Sequence, residues 1–195
     1  TTKDYLKAVL SQKYRVVATK ENQNNEIGVP LTLLAADDQT DILIVEAGLR
    51  KPGDLAILAK VICPTIVVHT GVGYAHGAFF ESAKALARSK SEIFRKALFW
   101  EKQAYSKNRK AFISGHHDHV DVLKKRAKKK GFDVYIYQGQ SLLQQPFALL
   151  EQIGTQFGLS MKDIQQGILK YKPSKNRLVS ICLLYTSPSP RDSSQ

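Results

Sequence analysis

The sequence predicts an α/β fold in which a mainly parallel sheet is flanked by helices, and three observations predict it. Two apolar runs, Ile42-Leu43-Ile44-Val45 and Thr65-Ile66-Val67-Val68-His69, are uninterrupted, the pattern of strands buried on both faces. Segments with helical spacing alternate with these runs and with the strands that follow. At 195 residues and 43% hydrophobic side chains, the chain has enough apolar material for one core of ordinary size.

In chain order, residues 4–13 read as a helix, with Tyr5, Leu6, Ala8, Val9 and Leu10 apolar. A short strand follows at 14–18, then the polar loop Asn22-Gln23-Asn24-Asn25 and a helix at 31–36. After the strand at 42–45, residues 54–60 form a crossover helix leading to the strand at 65–69. Phe79, Ala83, Leu86, Ile93 and Ala97 recur at helical steps, which predicts a long helix from about 78 to 98. Phe112-Ile113 and Val134-Tyr135-Ile136-Tyr137 read as strands around a helix at about 119–130. Leu143, Phe147, Leu150 and Ile153 mark a helix that Gly158 stops. Ser160-Met161-Lys162-Asp163 has the form of a capping box, opening a helix that ends near Tyr171 ahead of Pro173.

The formal net charge is +12, and residues 84–130 alone hold fifteen Lys or Arg against four acids. Such a balance invites a nucleic-acid partner. Lys124–Lys130, however, lie on a helix whose apolar face is Val120, Leu123 and Ala127, and cations near a helix C-terminus are favourable in themselves. No aromatic residues interleave with them, so nucleic-acid binding is not expected. No apolar run reaches the length of a membrane span, and the opening Thr1-Thr2-Lys3-Asp4 lacks the pattern of a secretory signal. Two cysteines, Cys63 and Cys182, make no disulfide framework, which points to a reducing cytoplasm.

Ligands of open α/β sheets gather at the carboxyl ends of strands. Glu46 ends the strand at 42–45, where a carboxylate either holds Mg²⁺ beside a nucleotide or caps the next turn. His76 follows the next strand through Gly71-Val72-Gly73, as a metal ligand or a plain loop histidine. Lys90 falls on the buried helical stripe, so it must snorkel, find a carboxylate, or lower its pKa and expose a neutral amine. Ser114-Gly115-His116-His117-Asp118-His119 partly matches the metal cluster of metallo-β-lactamase-like hydrolases, through His116, Asp118 and His119. Ser114 replaces its first histidine, and no later histidine completes a dinuclear site.

Several segments together resemble the central ATPase domain of the Mur ligases. These are Thr1-Thr2-Lys3, Asn22-Gln23-Asn24-Asn25-Glu26-Ile27-Gly28-Val29-Pro30, Glu46-Ala47-Gly48, and His76 with Lys90-Ser91-Glu92-Ile93-Phe94 fourteen residues on. A weaker likeness continues through 109–138 and from Phe157 to Leu178. The resemblance implies a P-loop NTPase-like central domain, truncated, over residues 1–181. It is strongest to the branch that adds D-alanyl-D-alanine to UDP-MurNAc-tripeptide in peptidoglycan synthesis. There, ATP phosphorylates the acceptor carboxylate and the dipeptide amine attacks the acyl phosphate. By that resemblance ATP and Mg²⁺ are the cofactors. Glu46 and His76 hold Mg²⁺, and Lys90 as a carbamate supports a second Mg²⁺. Asn24 and Asn25 line the nucleotide or substrate side, and Arg177 approaches ATP from a domain junction. A monomer is expected.

The sequence also departs from the family. No Gly-Lys-Thr/Ser phosphate loop precedes Thr1; Ser114-Gly115-His116-His117 stands where Asn-Ala-Asp-Asp is usual; and Leu142-Leu143-Gln144-Gln145-Pro146 replaces a His-Asn-x-x-Asn helix opening. The isolated chain is therefore expected to lack ligase activity. Cys182 to Asp192 resembles the conceptual translation of a transposase sequencing adapter, so residues 182–195 are read as an artefactual, disordered tail. Two other readings are a Mur-type ligase with a different amino acid substrate and a non-catalytic basic binding module using Lys124–Lys130.

Overall fold

A computed structural model describes residues 2–71, 80–95, 108–140 and 144–171. Within them the order is α1 (Thr2–Leu10), β1 (Val16–Ala18), α2 (Gly28–Leu34), β2 (Ile42–Ile44), α3 (Asp54–Ile62), β3 (Ile66–His69) and α4 (Ala83–Lys90). Then come β4 (Lys110–Ser114), α5 (Val120–Lys129), β5 (Asp133–Tyr137), α6 (Gln145–Gln156) and α7 (Met161–Leu169). Strands β1 and β2 pair in parallel, and β3, β4 and β5 form a second parallel sheet with β4 in the middle. The parallel α/β architecture expected from the apolar runs is therefore present.

Both faces of the larger sheet are covered, which explains why its strands read as apolar runs rather than alternating ones. Phe112 and Tyr137 pack with Leu6, Val9 and Leu10 of α1, Leu149, Leu150 and Ile153 of α6 and Ile164 of α7. On the other face, Ala111 and Ile113 pack with Val67, Phe94 and, from α5, Leu123 and Ala127. A third cluster joins Val29, Leu55, Leu58 and Leu86, tying α2 and α3 to α4. Helices α1 and α7 approach so closely that a Cβ on Gly167 would lie 2.5 Å from the Val9 Cα, which requires glycine there. The capping box forms as the sequence indicates, Ser160 and Asp163 each accepting the other's backbone N–H.

Several expectations are corrected. The helix at 78–98 is shorter among the described residues. It begins at Ala83, where the Ser82 hydroxyl accepts the Ala85 N–H, and after Lys90 tightens into a 3₁₀ turn at Ser91–Ile93. Phe94 is extended and fully buried, so the apolar spacing past Lys90 reports burial rather than continued helix. Helix α2 starts at Gly28, before Pro30, because proline in a first turn forfeits no hydrogen bond. Strand β4 runs from Lys110 to Ser114, beyond the two residues its apolar pattern marked. Phe79, Ala97 and Leu143 lie outside the described residues, as does the tail at 182–195. Among the described residues no helix is long and apolar enough to cross a membrane. In α5, Lys124, Lys125, Lys128 and Lys129 are exposed while Leu123 and Ala127 are buried, a solvated basic face.

Candidate functional site

At the carboxyl end of β2 the backbone leaves the sheet and presents Glu46. Its N–H donates to the Thr19 hydroxyl at 2.9 Å, and Thr19 in turn donates its N–H to the Ile44 carbonyl, so the β1 and β2 ends fix one another. The Asn24 amide donates to Glu46 Oε1 at 3.1 Å, while the Gly48 N–H donates to the Asn24 carbonyl at 2.8 Å. Lys3 is buried, donates to the carbonyls of Thr19 and Glu21 at 2.6 Å each, and lies 3.7 Å from Glu46 Oε2. A buried ammonium needs such partners, since desolvating a lone charge costs several kcal/mol. Glu46 Oε2 is shielded from solvent and takes no hydrogen bond. A shielded carboxylate oxygen with a free lone pair is the donor type that Mg²⁺ prefers, so Glu46 fits a hard-cation ligand.

Asn25 plays a different part. Its Oδ1 accepts the N–H of Ile27 at 3.2 Å and of Gly28 at 2.9 Å, holding the first turn of α2 as capping side chains do. Of the two asparagines, Asn24 touches Glu46 and Asn25 builds the loop that carries it.

The second edge lies at the ends of β3 and β4. Lys90 ends α4 partly buried, and its Nζ donates to the Gly71 carbonyl at 2.7 Å. Burial lowers the Lys90 pKa, moving the amine toward its neutral form. Beside it stands His69, whose pKa falls to about 3 through burial, then through the neighbouring Lys90 charge and His117. The rings of His69 and His117 lie 5.6 Å apart.

The sequence alone assigns neither histidine a role, although His117 stands within the Ser114–His119 segment. His69 is the last residue of β3, and its position at a strand's carboxyl end was the available signal. His117 comes beside it only because β3 and β4 pair with His69 opposite Ile113, four residues before His117. The cluster weighed instead does not assemble: among the described residues no three His, Cys, Asp or Glu side chains gather to hold a metal. His116 Nε2 is 2.5 Å from the Gly139 carbonyl, and His119 occupies the N-cap of α5 with a left-handed backbone.

The two edges face a common gap between β2 and β3. Lys3 and Glu46 line a cleft of about 580 Å³, and His69, Gly71 and Lys90 line one of about 780 Å³. Ile42, Leu43, Val45 and Thr70 border both. His76 and Arg177 lie outside the described residues.

Comparison with known proteins bears on this arrangement. The family described as the Mur ligase middle domain matches residues 1–172. The UDP-N-acetylmuramoyl-tripeptide--D-alanyl-D-alanine ligase of Synechocystis is 46% identical over 93 residues, 48% of this chain and 20% of that protein. The enzyme of the same name from Borreliella burgdorferi is 33% identical over 129 residues, 66% of this chain and 25% of that protein. The chain thus spans a fifth to a quarter of these curated relatives. A crystal structure of MurF from Acinetobacter baumannii superposes with a TM-score of 0.76 at 21% identity, covering 91% of this chain and 45% of that one. MurF from Thermotoga maritima in complex with ADP gives 0.56 at 27% identity, over 72% and 30%.

Proposed function

From a chain that belongs to the Mur ligase middle-domain family, we propose the nucleotide-binding part of an ATP-dependent amide ligase of peptidoglycan synthesis. The reaction adds D-alanyl-D-alanine to UDP-MurNAc-tripeptide in the cytoplasm, by a monomeric enzyme. The observation that carries this reading is a caged carboxylate, Glu46, after β2 and a lysine held toward neutrality, Lys90, at the end of α4, bordering adjoining clefts. The names of the relatives and the ADP complex of the Thermotoga protein support the substrates and ATP.

In this reading Glu46 and His76 hold Mg²⁺, and Lys90 as a carbamate supports a second ion. Bound magnesium neutralises charge building on the transferring phosphoryl oxygens. The chain's own work is preorganisation. Asn24 fixes the Glu46 carboxylate and Thr19 its backbone N–H, so the side chain is already oriented when a cation arrives. Lys3 compensates the carboxylate charge from 3.7 Å off Oε2 while its other donors are held by Thr19 and Glu21. The neutral Lys90 amine can attack carbon dioxide, its nitrogen forming the N–C bond and releasing one proton to solvent. Asn25 shapes the loop, and Arg177 is proposed to reach ATP from the domain junction.

The test uses the full-length protein with ATP, Mg²⁺ and UDP-MurNAc-tripeptide. ADP release that depends on D-alanyl-D-alanine, with a product heavier by that dipeptide less water, is expected. Release that responds to a single amino acid instead would favour a Mur-type ligase of other specificity, and release with neither would contradict the proposal. The 195-residue chain, in which no Gly-Lys-Thr/Ser loop occurs, is expected to be inactive alone.

A further inference from the structure

His69 and His117 stay outside the mechanism above, yet their nitrogens are the conspicuous unsatisfied atoms of the β3–β4 edge. His69 is 8% exposed, and its Nδ1 is sealed from solvent without a hydrogen-bond partner. His117 Nε2 is likewise sealed and unpartnered. A buried polar atom with nothing to bond costs about 1–3 kcal/mol, so two side by side ask what completes them.

The hydrogen bonding of His117 decides the chemistry. Its Nδ1 lies 3.0 Å from the Asp118 carbonyl oxygen. A carbonyl only accepts, so Nδ1 carries the proton, and the neutral ring keeps its lone pair on the buried Nε2. This is the arrangement of metal-ligating histidines, in which a backbone carbonyl fixes the tautomer and orients the ring. A lone pair invites a cation rather than an anion. The spacing agrees, for two imidazoles sharing a metal at about 2.0–2.1 Å per bond place their ring centres about 5–6 Å apart, and here they are 5.6 Å apart. His69 is held in β3, in parallel register with β4 up to Ile113, and His117 lies three residues past the end of β4 at Ser114. Gly71 packs beside the His117 ring, 3.6 Å from where its Cβ would lie.

We propose that His69 and His117 form a two-imidazole site for a late first-row divalent cation of the Zn²⁺ type, distinct from the Mg²⁺ position proposed at Glu46. Imidazole nitrogen suits Zn²⁺, Co²⁺ and Ni²⁺, whereas Mg²⁺ prefers oxygen. No third His, Cys, Asp or Glu among the described residues joins them, so water or a substrate oxygen fills the remaining positions.

The test is a Co²⁺ and Zn²⁺ titration of the 195-residue chain, followed by the visible absorption of Co²⁺ and by competition with a chromophoric chelator. One ion per chain is expected, with binding weakened at least about tenfold in His117→Ala and in His69→Gln. His116→Ala and His119→Ala should bind as the parent does, and circular dichroism checks that each variant is folded. Should His69→Gln fail to fold, the partly exposed His117→Ala carries the test. Loss of binding in His116→Ala or His119→Ala, or equal binding by the parent and His117→Ala, would overturn the assignment. Because the readout needs neither ATP nor ligase activity, its failure and that of the proposed function are separable.

Discussion

At the end of β2, the Glu46 carboxylate is gripped by Asn24, lies against buried Lys3 and is anchored through its own N–H to Thr19. At the end of β3 and past the end of β4, the His69 and His117 rings lie 5.6 Å apart, and each has one sealed nitrogen without a hydrogen-bond partner. The first edge is a finished cage with one free oxygen, Glu46 Oε2, and its order is built in by local hydrogen bonds. The second edge is a set of groups still lacking a partner. Polar groups satisfied by the protein are stabilising and costly to disturb, whereas unsatisfied ones cost stability until a ligand arrives.

The difference can be broken in graded steps. Lys3→Met removes a buried cation that serves two carbonyls and Glu46; a loss of about 2–4 kcal/mol is expected in urea unfolding, and a loss below about 1 kcal/mol would show the cage to be loose. Asn24→Ala strips one charged hydrogen bond from Glu46, for an expected loss of about 1.5 kcal/mol by the same measurement.

Acid acts on the other edge. The His69 pKa is depressed to about 3 in the folded chain, against about 6.5 unfolded, so the unfolded state binds more protons between these values. Stability from this residue is therefore full above about pH 6.5 and falls as pH drops toward 3. Between pH 7.5 and 5.5 the chain should lose about 1.4 kcal/mol more than His69→Leu does, as read from paired unfolding curves. The smallest effect is expected for His69→Leu itself at pH 7.5, within about 1 kcal/mol of the parent, since it removes an unpartnered nitrogen from an apolar setting. A large loss there would mean that the imidazole has a structural partner.

Much of this fold is legible from local pattern. The runs at β2 and β3 are apolar because helices cover both faces of the sheet, and the Ser160 capping box is a contact three residues long. The stripe through Lys90 correctly marks its burial, because helical spacing encodes which face turns inward. Where the pattern misleads, tertiary packing overrides it: Ile93 is partly and Phe94 fully buried, like helix residues, but they belong to a 3₁₀ turn and an extended segment. The polar ends of β4, Lys110 and Ser114, hide a central strand because pairing on both sides is invisible to a local reading.

At the site, Glu46 is legible from its place after an apolar run. Lys3 is not, since its partners Thr19, Glu21 and Glu46 lie sixteen to forty-three residues away in the chain. The histidine pair depends in the same way on register between β3 and β4, with forty-eight residues separating its members.

The most direct test of the central claim, that the Glu46 cage holds the magnesium of an ATP-dependent ligase, is the Mg²⁺ dependence of ADP release by the full-length protein and its Glu46→Gln form. The Mg²⁺ concentration for half-maximal rate should rise at least about tenfold in the variant, the equivalent of about 1.4 kcal/mol of lost cation binding. Superimposable Mg²⁺ curves for the two proteins would contradict the assignment.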